Sequence, residues 1–184
     1  MIVREGKLNG IKLIEPAVFA DNRGFFVESY NAERYAEHDI TMTFIQDNHS
    51  LSVESGVIRG LHYQLNPCGQ TKLVRVTAGA IYDVVVDIRQ GSPTFGKWEG
   101  FELSVENKHQ LLVPVGFAHG FCTLVPNTEV QYKVDNLYSP EHDRGIAWDD
   151  PAIGIAWPIS EAILSQKDAR NPVLAEAELN FEYE

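Results

Sequence analysis

Three clusters in the 184-residue chain carry side chains that move protons. The densest is Arg59-Gly60-Leu61-His62-Tyr63-Gln64, where a guanidinium and an imidazole flank a glycine inside a strand-like run. On an ideal strand Arg59 and His62 point to opposite faces. A bulge at Gly60 would turn both toward one cavity. From spacing alone, a surface arginine beside a hydrogen-bonded core histidine is the commoner arrangement. The second cluster, Pro114-Val-Gly-Phe-Ala-His119-Gly-Phe121, places a histidine at a glycine-rich corner. The third is Tyr132-Lys133 with Tyr138, followed by Trp148-Asp-Asp-Pro151. Tyr132 becomes a proton donor only if it shares a cavity with His62, and Asp168, in Lys167-Asp168, matters only if it folds back onto an imidazole.

The elements that would position these residues are short strands. Lys72 to Arg89 is rich in β-branched residues, and Ala78-Gly79 divides it. After the turn Tyr82, Val84, Val86 and Ile88 fall on one face, with Asp83, Val85 and Asp87 on the other. Further strands are expected at 12–16, 24–30, 44–52, 57–64, 96–103, 109–114, 120–124 and 128–134. Two short helices are expected, at 31–37 with Asn31 as cap and at 160–167. The pattern predicts an all-β sandwich or barrel, residues 1–184 forming one domain.

Composition narrows the partners. Fifteen Lys and Arg stand against 26 Asp and Glu, a net charge of −11. That opposes a nucleic-acid or anionic-membrane surface while leaving room for a local site for one phosphorylated small molecule. Cys68 and Cys122 lie far apart, which suits a reducing compartment. Charged residues interrupt the N-terminus, and the longest uncharged run, Leu111 to Thr128, is broken by Pro114, Gly116, Gly120 and Pro126, so no membrane span is expected. A cytoplasmic protein is the expectation.

The Pro-x-Gly-x-x-His spacing resembles the second motif of the cupin superfamily, whose metal-binding members place a His-x-His pair in the first motif. Here that place reads His62-Tyr63-Gln64, and with one imidazole missing no metal is expected. A longer resemblance runs along essentially the whole chain. Gly56-Val-Ile-Arg-Gly-Leu-His-Tyr-Gln64, Gln70-Thr-Lys-Leu-Val-Arg75, Asp83-Val-Val-Val-Asp-Ile-Arg89, Ser92-Pro-Thr-Phe-Gly96, Gly116-Phe-Ala-His-Gly-Phe121, Tyr132-Lys133 and Trp148-Asp-Asp-Pro151 are, in this order, similar to the dTDP-4-dehydrorhamnose 3,5-epimerase family.

The resemblance implies a cupin-like jelly roll with a few short peripheral helices. It implies epimerisation of dTDP-4-dehydro-6-deoxy-D-glucose at C3 and C5 through an enolate, without metal or redox cofactor. His62 matches the base, Asp168 its carboxylate partner, Lys72 the cation near the C4 oxygen and Tyr132 the acid across the ring. Arg59 and His119 match further donors, and Asp83 a carboxylate behind them. Arg23, Phe26 and Glu28 lie in a segment the family exchanges with its dimer partner. Gln46, Asp47 and Asn48 match base and phosphate contacts, Tyr138 the thymine stack and Lys167 another contact. Asp143 stands where the family more usually has Glu, a side chain one methylene longer. A homodimer is therefore expected. The nearest rival is a relative that inverts only C3 or only C5. A non-catalytic nucleotide-sugar-binding module would be expected to lack His62 or Asp168, and a metal-dependent oxygenase would need the absent histidine.

Overall fold

The computed structural model describes residues 1–183. Its strands are β1 (Ile2–Glu5), β2 (Lys12–Glu15), β3 (Val18–Asp21), β4 (Gly24–Val27), β5 (Gln46–Ser52), β6 (Ile58–Gln64), β7 (Lys72–Ala78), β8 (Ala80–Asp87), β9 (Trp98–Ser104), β10 (Gln110–Val113), β11 (Phe117–Thr123), β12 (Thr128–Val134) and β13 (Asp143–Gly145). One sheet has the order β1-β2-β10-β7-β12-β5, the other β13-β6-β11-β8-β9, and β3-β4 form a separate hairpin. The two large sheets make an all-β sandwich of the expected jelly-roll class, and neither closes into a barrel.

Gly79 does more than end a strand. There the β-branched run crosses from the six-stranded sheet into the five-stranded one, so β7 and β8 face each other in different layers. The crossing needs glycine: its φ is +76°, and a Cβ would stand 2.3 Å from Thr128 Oγ1. The predicted alternation along β8 holds. Val84 and Val86 pack outward with Ile146, Ile153 and Phe181 of the C-terminal segment. Ile81 and Val85 pack inward against Val74, Val76, Leu111 and Val130 of the facing sheet. The opposite outer face, at Ile14, Leu73 and Leu112, is covered by Tyr35 and Ile40.

The first expected helix forms as α1 (Ala32–Ala36), capped by Asn31, whose side chain accepts from the Glu33 and Arg34 N–H groups. The second does not form. Residues 160–167 form bends and a turn around an isolated bridge at Ile163, because Ile163 N–H donates to Gly56 O at 2.9 Å and Ile58 N–H to Ile163 O at 2.9 Å. A helix this short is marginal by itself, so pairing with the start of β6 outcompetes it. A 3-10 turn, Asp168–Arg170, follows. Strands β1, β3 and β13, each four residues or shorter, fell outside the expected set. Among the described residues no helix is long and apolar enough to cross a membrane.

The bulge expected at Gly60 is present. His119 pairs with His62 and Phe121 with Arg59, so two steps on β11 face three on β6. Gly60 has φ +128°, and an added Cβ would lie 2.6 Å from Gly120 Cα and 2.8 Å from His119 O. Gly60→Ala should destabilise the fold by about 2–4 kcal/mol, combining an unfavourable φ with overpacking against backbone. Urea unfolding measures this, and a variant of parental stability would contradict the account of the bulge.

Candidate active site

Because β6 bulges, Arg59 and His62 both enter the space between the sheets. A cavity of about 420 Å³ there is lined by both residues together with Lys72, His119, Tyr132 and Asp168. His62 and His119 come from paired strands of one sheet, Lys72 and Tyr132 from paired strands of the other. Lys72 shares the inward face of β7 with Val74 and Val76, and Tyr132 follows Val130 inward on β12. Polar residues at one end of these strands thus face one another where apolar residues would otherwise extend the core. A smaller cavity of about 240 Å³ shares His62, Lys72, Tyr132 and Lys167 with the first and adds Tyr138 and Asp143.

The segment after Ile163 delivers Asp168 to His62. The carboxylate Oδ1 lies 2.6 Å from the imidazole Nε2, and the Gly60 N–H approaches Oδ2 at 3.4 Å. Burial by itself would raise the Asp168 carboxyl. The hydrogen bond and charge of His62, with Gly60 N–H and Ser165, outweigh it and hold the group below the usual carboxylate range. An ionised Asp168 accepts a hydrogen bond from Nε2–H, which leaves Nδ1 as the basic nitrogen of His62. A second pair repeats the pattern deeper in the layer. His119 Nε2 is 2.6 Å from Asp83 Oδ1, both side chains are buried, and Asp83 Oδ2 has no hydrogen-bond partner among the described residues.

Lys72 is the cation between the pairs. Its Nζ donates to His62 O at 3.4 Å. Burial lowers its pKa from 10.5 to about 8, partly offset by Asp83 and Asp143. Burial also raises the Tyr132 phenol, with Arg59 opposing and Asp143 adding, so Tyr132 holds its proton at neutral pH. Arg59 is held by Ser52 Oγ at 3.2 Å and Leu51 O at 3.0 Å, and among the described residues it has no carboxylate partner.

Around the mouth, Asp143 accepts from the Tyr138 hydroxyl at 3.0 Å and from Lys167 Nζ. Burial lowers the Lys167 pKa, but Asp143 more than restores it and the net shift is upward. The carboxylate of Asp143 is therefore occupied by two neighbours of its own chain. Gln46 Nε2 donates to Asn48 Oδ1 at 2.9 Å, and Gln46 Oε1 accepts the Tyr138 N–H at 3.2 Å. Asn48 faces Tyr132 across the β5–β12 pair.

Gln46 and Asn48 reach the mouth only through the bond to Tyr138 N–H, and Asp83 reaches the cavity only through His119; Asp47, Arg23, Glu28 and Phe26 are not brought to it by this chain. Asp47 alternates to the outer face of β5 and pairs with Lys133 at 2.9 Å. Arg23 is exposed and pairs with Asp21, Glu28 pairs with Arg34, and Phe26 is 67% exposed on or beside the hairpin. Conversely, Ser50, Phe121, Ile163, Leu164 and Ser165 line the cavity without having been singled out. Ser50 was accessible to a period-of-two count from Asn48; no local signal marks Ser165.

The model of the family described as dTDP-4-dehydrorhamnose 3,5-epimerase matches residues 5–176. A Sinorhizobium fredii dTDP-4-dehydrorhamnose 3,5-epimerase is 52% identical over 174 residues, covering 94% of this chain and 89% of the relative. The crystal structure of the Bacillus anthracis enzyme of that name, with TDP and PPi bound, is 55% identical, has a TM-score of 0.92, and covers 94% of this chain and 98% of that one. A Legionella pneumophila dTDP-6-deoxy-D-glucose-3,5-epimerase in complex with dTDP-4-keto-L-rhamnose is 46% identical with a TM-score of 0.95, covering 100% and 98%. Sequence, fold and the order of motifs agree, and the chain belongs to the dTDP-4-dehydrorhamnose 3,5-epimerase family.

Proposed function

We propose that the protein epimerises dTDP-4-dehydro-6-deoxy-D-glucose at C3 and C5, giving dTDP-4-dehydro-L-rhamnose. The observation that carries this reading is the His62–Asp168 pair on one layer of a cavity whose other layer supplies Lys72 and Tyr132. The C4 ketone acidifies the protons on C3 and C5. His62 Nδ1 takes one of them, the electron pair moves onto the ketone oxygen, and Asp168 stabilises the imidazolium that forms. The Lys72 ammonium, with Arg59 and His119 nearby, stabilises the enolate oxygen; single donors of this kind are worth about 2.7–4 kcal/mol in other enzymes. Tyr132, still protonated, returns a proton from the opposite face. Every proton removed from the sugar is replaced, His62 then releases its proton to water and Tyr132 regains one from it, so the cycle consumes neither oxidant nor reductant.

The reading includes a homodimer in the cytoplasm. Phe19, Phe25 and Phe26 are 63%, 57% and 67% exposed on an isolated two-stranded hairpin, which a second copy would cover. That copy's Arg23, Phe26 and Glu28 would complete the nucleotide end, with Gln46, Asn48, Tyr138 and Lys167 from this one. Asp47, on the outer face, would serve only indirectly.

Three measurements test this. Turnover in heavy water should place deuterium at both C3 and C5 with inversion at both; exchange at one carbon would make the protein a single-carbon epimerase, and none would remove the substrate. His62→Ala should lose at least about 10²-fold in kcat, and Tyr132→Phe should lose the C5-inverted product by a similar factor. Size-exclusion chromatography should show a dimer, and a stable monomer would remove Arg23, Phe26 and Glu28 from the site.

The buried lysine gives a pH signature with two opposite signs. Above about pH 8 Lys72 loses its charge, so kcat/KM should fall there. Between about pH 8 and 10.5 the unfolded chain binds the proton that the folded one has released, so stability gained from this residue rises with pH. Lys72→Met should remove the rise in stability together with the activity. Parallel rate and denaturation profiles check both, and a basic limb retained in Lys72→Arg at the same pH would assign it elsewhere.

A further inference from the structure

Gln64 ends β6, two residues beyond His62 and therefore on the same face of the strand. Its side chain is buried, with the residue 5% exposed, and the mechanism above gives it no part. The amide nevertheless makes three hydrogen bonds. Nε2 donates to Cys68 O at 2.6 Å and to Leu137 O at 3.2 Å, while Oε1 accepts the Ser139 N–H at 2.8 Å. Two carbonyls and one N–H fix which end of the amide is nitrogen, because only that orientation satisfies all three.

Leu137 O belongs to the peptide unit that precedes Tyr138, and Ser139 N–H to the one that follows it. A single buried side chain therefore grips both peptide planes on either side of the Tyr138 Cα. The segment concerned lies between β12, which ends at Val134, and β13, which begins at Asp143, so it has no sheet ladder of its own to hold it. Tyr138 itself is 55% exposed, so about half of its surface is left to solvent. Its remaining ties are the N–H to Gln46 and the hydroxyl to Asp143.

We infer that Gln64 is a positioning residue for the nucleotide end of the site: its amide fixes the backbone around Tyr138 and so sets where that ring stands relative to His62 on the same strand. The inference rests on the reading of Tyr138 as a nucleotide contact. Its physical content is preorganisation, since a loop ordered before binding costs less to order on binding.

The test is a double-mutant cycle of Gln64→Met and Tyr138→Ala, with dTDP alone as the calorimetric probe and kcat measured at saturating sugar nucleotide. Gln64→Met should weaken dTDP about five- to tenfold, the scale expected for losing two or three modest hydrogen bonds, with kcat within about twofold of the parent. In the Tyr138→Ala background it should add less than about a twofold change. Equal weakening in both backgrounds, or a loss of kcat at unchanged dTDP affinity, overturns the inference while leaving Tyr138 in place. Tyr138→Ala with parental dTDP affinity removes Tyr138 from the nucleotide site and the inference with it. Should Gln64→Met fail to fold, hydrogen exchange of the unaltered protein decides: the Ser139 amide should be protected before nucleotide is added, and exchange at the rate of a free loop overturns the assignment.

Discussion

The site depends on the contact between two glycines on neighbouring strands. Gly60 sits so close to Gly120 that a methyl group on it would overlap the neighbouring backbone. This approach lets β6 carry one more residue than β11 between its pairings, and the extra residue brings Arg59 and His62 into one cavity. The same backbone offers the Gly60 N–H to Asp168. A regular strand would have sent one of these two side chains to the outer face, into the apolar layer built by Leu61, Val84 and Ile146.

Placing several charges in the interior requires that most of them be paired. Asp168 and Asp83 each hold one histidine at 2.6 Å, so each imidazole has one nitrogen assigned and one available. Among the described residues Lys72 has no carboxylate within hydrogen-bond distance, and burial shifts it to about 8. A less stable ammonium is a stronger electrostatic partner for an oxyanion, because little water competes for it. The chain is acidic overall, but Arg59, Lys72 and Lys167 gather at one cavity. Local arrangement, not net charge, decides what anion the protein takes.

Much of this was legible in the residues. The alternation of β8 separated its two faces correctly because a strand's side-chain period is two, whatever the surrounding fold. Gly60 between Arg59 and His62 signalled a bulge, since a glycine inside a strand pattern marks a close approach of backbone. Asn31 capped its helix as its side-chain oxygen requires. The expected helix at 160–167 failed because the backbone at Gly56 and Ile58 offered Ile163 better hydrogen bonds than a short isolated helix could.

The sequence by itself determined the longer strands, the two faces of β8, and a motif order specific enough to identify the family. Tertiary structure decided which inward-facing groups meet. Asp168 reaches His62 across 106 residues only because Ile163 pairs beside Ile58, and Lys72 faces Asp83 across the layers because the chain changes sheets at Gly79. It also decided what the chain does not bring to its own cavity, since Asp47 turns outward beside Gln46 and Asn48 and the hairpin carrying Arg23 and Phe26 stands away from it. Local periodicity fixes the direction of a side chain relative to its own strand; the partner it meets is set by long-range pairing, which no window of neighbouring residues contains.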